Sequence, residues 1–104
     1  MTLETVVTEL ILNSGNARND ALEAIQFAEE GDFKAAEEKL KSCDEALAAA
    51  HEFHSNLLFD EAKGLGDTTP NLILIHGQDH LMNAMTIRDL AGHMIKLCDM
   101  IIKK

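Results

Sequence analysis

The side chains best suited to chemistry in this sequence are two histidines and an aspartate near residue 80. His76 and His80 are four residues apart, and Asp79 stands between them in the sequence. Since an α-helix turns by about 100° per residue, all three side chains would point into one space if the segment is helical. A neutral imidazole is both a nucleophile and a metal ligand near pH 7. The trio is therefore the first candidate for a functional site.

The residues alone leave three interpretations of this trio open. A metal site could use the histidine pair with the carboxylate, as zinc sites do. Alternatively, a histidine nucleophile could accept a phosphoryl group while the second histidine and a nearby amide stabilise the transferred oxygens. The third interpretation is a polar layer that sets the register of packed helices. The matching function classes are a metal-binding helical oligomer, a phosphoryl carrier and a purely structural helical adaptor.

The trio lies in the middle of a long stripe on one side of the C-terminal segment. The stripe is apolar at both ends and polar in its centre. Burying imidazoles, a carboxylate and an amide between apolar ends is costly unless each finds a partner, so this arrangement favours a site. At helical spacing the stripe consists of Leu72, His76, Asp79, His80, Asn83, Ile87, Leu90, Met94, Leu97 and Ile101.

Helical periodicity runs through almost the whole sequence, and no strand pattern competes with it. We predict three helices, roughly 2–30, 33–63 and 70–102, in one domain spanning residues 1–104. Gly31 suits the left-handed position that ends a helix, and Asp32 can cap the next one. Thr69 is the expected N-cap of the third helix, with Pro70 at its first position. Short links imply antiparallel neighbours, so the fold class is an all-α, antiparallel three-helix bundle.

The third helix is apolar on its other sides as well as on the stripe. A helix that is apolar nearly all round must be buried nearly all round, and two companions from the same chain cannot surround it. We therefore expect the third helix to pack against copies of itself in a closed homo-oligomer. The residues that make its other sides apolar are Leu74, Ile75, Leu81, Met82, Met85 and Ile95.

Other residues with chemical potential are assigned to packing. The small residues of the stretch 14–17 in the first helix are expected to mark a tight helix crossing. Gly15 within it costs about 1 kcal/mol against alanine and therefore needs a packing reason, with a slight kink as the alternative. Histidines on a mostly apolar seam are more often core residues than ligands, which covers His51 and His54, and His93 has no carboxylate partner on its face. The two cysteines are expected to be free thiols that pack in the interior; they are Cys43 and Cys98.

Composition excludes several function classes. The chain has 104 residues, 46% of them hydrophobic, and a formal net charge of −9. That charge repels nucleic-acid phosphates and anionic membrane surfaces. No apolar run has the length needed to cross a bilayer, so we expect no direct membrane insertion. No signal peptide is evident, and the expected location is the cytoplasm.

The segment from Leu74 to Met85, with the sequence LIHGQDHLMNAM, resembles the signature of lactose/cellobiose-type enzyme IIA components of the bacterial sugar phosphotransferase system. The similarity extends to 14–18 in the first helix, to the turn at 31–33 and to 50–51 and 61–62 in the second helix. It covers nearly the whole chain. Within it, Gly77 stands where alanine is common and is expected to loosen the helix by roughly 1 kcal/mol.

The resemblance implies a homotrimer of three-helix protomers, joined through the third helix, that carries phosphoryl groups for uptake of a β-linked disaccharide of the cellobiose, chitobiose or lactose type. His76 matches the phosphorylated histidine, which receives the group from the phosphocarrier HPr and passes it to a cysteine of IIB, the partner of the membrane component IIC. His80 matches a supporting histidine, and Gln78 is a candidate hydrogen-bond partner of the phosphoryl group. Asp79 matches the residue that shares one structural Mg²⁺ per trimer across the threefold axis.

Overall fold

Three long helices account for the structure, a computed structural model that describes residues 2–64 and 71–103. They are α1 (Leu3–Glu29), α2 (Phe33–Ala62) and α3 (Leu72–Ile102). No strand occurs in these two ranges. Helix α2 runs antiparallel to the other two, which are parallel, and the bundle measures 56 × 19 × 19 Å. The predicted all-α three-helix bundle is confirmed.

The link between α1 and α2 contains the glycine turn and the helix cap that the sequence predicts. Gly31 has a positive φ of 82°, a conformation that glycine adopts without steric cost. Asp32 caps α2 by accepting a hydrogen bond from the Ala35 backbone N–H at 3.1 Å. The predicted turn at this position is confirmed.

The start of α3 differs from the prediction. Its N-cap is Asn71, whose side-chain oxygen accepts a hydrogen bond from the Leu74 N–H at 2.8 Å. Capping by Thr69, with Pro70 as the first helical residue, is therefore wrong, and both residues lie outside the described ranges. Asparagine caps helices at least as well as threonine, so residue type alone could not identify Asn71, rather than Thr69, as the N-cap.

A seam of small side chains holds the helices together. Four alanines at helical spacing along α1, Ala17 to Ala28, are completely buried, and Ala36 and Cys43 of α2 and Ala84 and Ala91 of α3 pack against them. Nearer the N-terminus of α3 the buried side chains are larger. There Leu10, Ala50 and Leu81 form a second buried cluster. Small residues let backbones approach closely, so this seam fixes the relative positions of the helices.

Two of the glycines inside helices, Gly15 and Gly77, have different roles from those expected. Ser14 and Ala17 of the predicted crossing are buried, but a Cβ built on Gly15 would have nothing within 4 Å, so the packing reason expected for Gly15 is not found within the chain. A Cβ on Gly77 would lie 3.3 Å from Leu10 Cδ2 and 3.4 Å from Val7 Cγ1. The difference arises because Gly15 lies just off the seam of α1, whereas Gly77 is on the seam of α3. Gly77 thus permits a close approach of α1 and α3.

The side of α3 that faces away from α1 and α2 is exposed and apolar. In the single chain, Ile75 is 47% exposed and Met82 46% exposed. The same face continues through exposed Leu72, Leu90, Leu97, Met100 and Ile101. None of the described helices is long and apolar enough to cross a membrane. Among residues 2–64 and 71–103, this face therefore has no partner and forms a large exposed apolar surface.

Candidate functional site

The two histidines singled out in the sequence form a hydrogen-bonded pair. The Nε2 atoms of His76 and His80 are 3.1 Å apart. The rings meet edge to face, with centroids 4.5 Å apart and planes at 86°. One Nε2 must carry the proton and the other must offer its lone pair, because two protonated or two bare nitrogens cannot bond. His76 is exposed and His80 is half-buried. The pair thus presents an imidazole to solvent with a second imidazole behind it.

Packing of the neighbouring residue positions His76. Gly77 faces the interior, where a Cβ would meet Val7, Leu10 and Ile11 of α1. Because consecutive helical residues are about 100° apart, His76 points about 100° away from this interior contact, toward the edge of the outer face of α3. The Asn71 cap also places it in the second turn of the helix, near the positive end of the α3 dipole. That end favours a negatively charged group.

An open groove runs between α1 and α3 at the N-terminal end of α3, and neither histidine is among the residues that line it. It has a volume of about 530 Å³ and is lined by Leu3, Glu4, Val7, Thr8 and Ile11 of α1 with Asn71 and Ile73 of α3. Ile73 precedes His76 by three residues, so the two side chains occupy the same flank of α3. The sequence analysis did not single out this groove. The only signal in the sequence was an apolar residue, Ile73, one turn before the candidate histidine; the structure shows that it is 55% exposed.

Asp79 does not join the histidines in one site. Around the helix it lies about 60° from His76, in the direction opposite to His80. Its side chain is exposed on the outer face. Within the described ranges, no group of three or more histidine, cysteine, aspartate or glutamate side chains could hold a metal ion. The metal-site interpretation built on His76, Asp79 and His80 in one chain therefore finds no support.

The surroundings of Asp79 fit a site shared between copies. Ile75 and Met82 flank it at positions i−4 and i+3, and both are apolar and exposed. A carboxylate within such a face would be buried if α3 packed on identical helices. Carboxylate oxygens are the donors that Mg²⁺ prefers, and one chain supplies a single carboxylate at this position. Three symmetry-related Asp79 residues could hold the ion; one chain could not.

Gln78 lies far from the histidine pair within one chain. It follows His76 by two residues, which places it about 200° around α3, on the side facing α2. Met85, on the same flank as Gln78, borders a second groove with Leu47 and His51 of α2. Gln78 can reach a group on His76 only from another copy of the chain, and its role stays a prediction.

The remaining histidines have separate environments. His51 is exposed, and its Nδ1 lies 3.3 Å from Ser55 Oγ, so its assignment to the core is wrong. His54 is half-buried on the seam of α2, and desolvation, helped by the nearby His51, lowers its pKa. His93 is exposed on the outer face of α3, where its structural role stays a prediction.

The cysteines are free, as predicted, and neither belongs to the histidine site. Cys43 is buried, and desolvation raises the pKa of its thiol to about 11. At neutral pH a thiol with that pKa is almost entirely protonated and is a poor nucleophile. Cys98 is half-buried. The histidine pair therefore remains the strongest candidate nucleophile among the described residues.

Comparison with known proteins points to one family. Residues 5–99 match the model of the "PTS system, Lactose/Cellobiose specific IIA subunit". The chain is 40% identical over 102 residues to the lichenan-specific phosphotransferase enzyme IIA component of Bacillus subtilis, which covers 98% of this chain and 92% of the relative.

Solved structures give the same result. The cellobiose-specific enzyme IIA of Bacillus anthracis superposes with a TM-score of 0.94 at 45% identity, covering 100% of this chain and 95% of that one. The IIA component for chitobiose of Escherichia coli, solved in complex with HPr, superposes with a TM-score of 0.81 at 36% identity and 97% coverage of both chains. Sequence identities of 45% and 36% are high enough to indicate a shared family and not only a shared fold.

The lowered pKa of His54 predicts that the fold weakens in acid. The folded chain binds this proton less readily than the unfolded chain, whose histidine pKa is near the ordinary 6.5. Stability contributed by neutral His54 is thus complete above pH 6.5 and is lost as the pH falls toward the lowered folded pKa. We expect the Tm of His54→Gln to fall less than that of the wild type between pH 7.5 and 5.5, in thermal melts followed by circular dichroism.

His51→Gln is the matched comparison for this experiment. It removes the charge of His51, the smaller of the two causes that lower the pKa of His54, and leaves the burial of His54 unchanged. It should flatten the pH dependence only slightly. Equal pH dependence of Tm in the wild type and His54→Gln would contradict the assignment.

Proposed function

The chain belongs to the lactose/cellobiose-specific IIA subunits of the sugar phosphotransferase system, and from this membership we propose that it is a phosphoryl carrier acting through His76. In this proposal His76 accepts the group from phosphorylated HPr and passes it to a cysteine of IIB, which serves the membrane component IIC. The observation that carries the proposal is the hydrogen-bonded His76–His80 pair. A relative solved with HPr supports HPr as the donor.

The pair explains how one histidine can accept and donate the group. In the productive tautomer, His80 carries the proton on Nε2 and His76 offers the Nε2 lone pair. That lone pair forms the new P–N bond as the P–N bond of phospho-HPr breaks, and no proton has to leave His76 Nε2. The His80 N–H can then donate to a phosphoryl oxygen. Since phosphoryl transfer depends mainly on positioning and charge stabilisation, no cofactor is required for this step.

The working unit in this proposal is a homotrimer joined through α3. The exposed apolar face of α3 supports the assembly, because burying it removes a large apolar surface from water. The Asp79 carboxylates would meet on the threefold axis, where three like charges repel unless a hard cation such as Mg²⁺ bridges them. The ion would stabilise the assembly and take no part in the transfer.

Trimer geometry also gives Gln78 a role. With the outer faces of three parallel helices on the axis, the His76 flank of one α3 faces the flank of the next α3 that carries Gln78. Gln78 of a neighbouring copy could then donate a hydrogen bond to the phosphoryl group.

The sugar that we propose for this system is a β-linked disaccharide. The relatives carry the names lichenan-specific and cellobiose-specific, and one is the chitobiose IIA component. The carrier itself handles a phosphoryl group, so nothing in its site has to recognise the sugar. The proposed location is the cytoplasm, together with HPr.

Replacing His76 should abolish acceptance of the phosphoryl group. After incubation with phosphoenolpyruvate, enzyme I and HPr, the wild type should gain one acid-labile phosphoryl group per chain, mapped to His76 by mass spectrometry. His76→Gln should gain none. His80→Gln should accept more slowly, by roughly 10²-fold, because one donor to the transferred oxygens is lost. His93→Gln, on the same helix, is the control and should behave as wild type. Full acceptance by His76→Gln would refute the proposal.

Replacing Asp79 tests the axial site. Asp79→Leu should keep or strengthen the trimer and remove its dependence on Mg²⁺, because an apolar contact replaces three repelling carboxylates. Sedimentation equilibrium with Mg²⁺ and with EDTA measures this. Asp89→Leu removes a neighbouring exposed carboxylate of α3 and should leave any Mg²⁺ dependence in place. Dissociation of Asp79→Leu to monomers would count against the axial position.

Mixed trimers test whether Gln78 acts on a neighbouring copy. Gln78→Ala should slow acceptance roughly tenfold, the effect of losing one hydrogen bond to a charged group. His76→Gln chains accept nothing but retain Gln78. Mixing the two variants after partial unfolding should raise the rate per intact His76 above that of Gln78→Ala alone. An unchanged rate, with mixing verified by mass, would show that Gln78 does not act across the interface.

A further inference from the structure

His93 lies on the outer face of α3, nearly in line with Asp79. Gly77 and Ile95 are both buried, and because they are five helical turns apart they point in the same direction into the bundle. Relative to that direction, Asp79 and His93 each point about 160° away. His93 is exposed in the single chain. Both side chains therefore project almost directly away from α1 and α2.

Exposed apolar side chains surround His93 on this face. Leu90 precedes it by three residues and is 51% exposed, and Leu97 follows it by four residues and is 56% exposed. Met100, a further three residues along the helix, is 69% exposed. Apolar residues one turn before and one turn after a position are typical of a helix interface rather than of a solvated surface. His93 therefore lies inside the face that is buried in the proposed trimer.

The spacing between Asp79 and His93 suits helices that coil around one axis. The two are 14 residues apart, which equals four turns of about 3.5 residues in a left-handed coiled coil. Midway between them, the Thr86 hydroxyl donates to the Met82 carbonyl of its own helix at 3.1 Å, so it needs no partner from another chain. Three neutral imidazoles that meet in an apolar interface are costly unless their ring nitrogens find partners.

Three imidazoles on a threefold axis are suited to one metal ion. Helices packed through large side chains lie about 10 Å apart, so each α3 axis would lie about 6 Å from the threefold axis, within reach of a histidine side chain. Imidazole nitrogens suit Zn²⁺, which takes three histidines and leaves a fourth position for water. Mg²⁺ instead prefers oxygen donors. Such a site needs three chains, which agrees with the lack of a metal-ligand cluster within the described residues of one chain.

Resting on the trimer of the proposed function, we propose that three His93 side chains bind one Zn²⁺ ion per trimer. This second axial site lies about 21 Å along α3 from Asp79. Each neutral imidazole gives one nitrogen lone pair to the ion, and a water completes the tetrahedron. The ion links the C-terminal halves of the three α3 helices. Since His76 is about 26 Å away along the helix, the site stabilises the assembly and takes no part in phosphoryl transfer.

Zinc stoichiometry tests this site, because a site shared by three chains binds one ion per three chains and a site within one chain binds one ion per chain. The full chain carrying His76→Gln and His80→Gln lacks the imidazole pair that could itself hold zinc. Titrated with zinc chloride in a calorimeter, it should bind one Zn²⁺ per three chains. Saturating zinc should raise its Tm by several degrees.

Further substitutions in this chain assign the ligand. Adding His93→Gln should abolish both the zinc binding and the rise in Tm. Adding His51→Gln is the matched control, since it removes an exposed imidazole of α2 and should leave both unchanged. Adding Asp79→Leu should also leave both in place, because the two axial sites are separate.

Sedimentation equilibrium in the presence of zinc and Mg²⁺ separates the possible failures. A trimer that binds no zinc, binds one ion per chain, or binds the same amount after His93→Gln overturns the zinc site and leaves the assembly intact. A chain that is not a trimer overturns both the zinc site and the proposed assembly. Neither result affects the role of His76, which fails only if the wild type accepts no phosphoryl group from phosphorylated HPr.

Discussion

The close approach of α1 and α3 at Gly77 is the contact on which the rest of the site depends. Its Cα hydrogens take the place of a methyl group that would lie 3.3 Å from the fully buried Leu10. Because helix geometry fixes the angle between consecutive side chains, this one inward residue determines where its neighbours point. His76 then points toward the edge of the outer face of α3, and Asp79 emerges on the outer face. A rotation of α3 by one residue would move both side chains out of these environments.

The small-residue seam has a further consequence for α3. Alanines along α1 allow the three helices to pack closely, but they provide little surface to cover a third helix that is apolar on several sides. The outer face of α3 remains exposed in the single chain, and burial of that face provides a driving force for assembly. Stability of the fold and assembly are therefore expected to be linked, since the same helix supplies the core of the protomer and the face that remains open.

In a hydrogen-bonded pair of imidazoles, one ring can supply a lone pair and the other an N–H donor. A single exposed histidine could accept a phosphoryl group, but nothing would hold its tautomer. With the Nε2 atoms 3.1 Å apart, one proton is shared between the rings, so the lone pair of one ring and the N–H of the other are paired before the donor arrives. In the proposed transfer, the main remaining requirement would be alignment of the donor with this pair.

The sequence by itself determined the three helices, the turn at Gly31 and Asp32, and the histidines as the candidate nucleophiles, because these depend on periodicity, local backbone preferences and side-chain chemistry. It did not determine which glycine lies at a helix crossing, since Gly15 and Gly77 are equally small and differ only in the face they occupy. Helix periodicity fixes the angles between His76, Gln78 and Asp79, but it does not say which of these directions faces α1, α2 or the outside, because the orientation of the helix is set by packing. Only the tertiary structure decided that orientation, and with it the groove beside Ile73, because contacts between helices depend on how the seams of all three fit together.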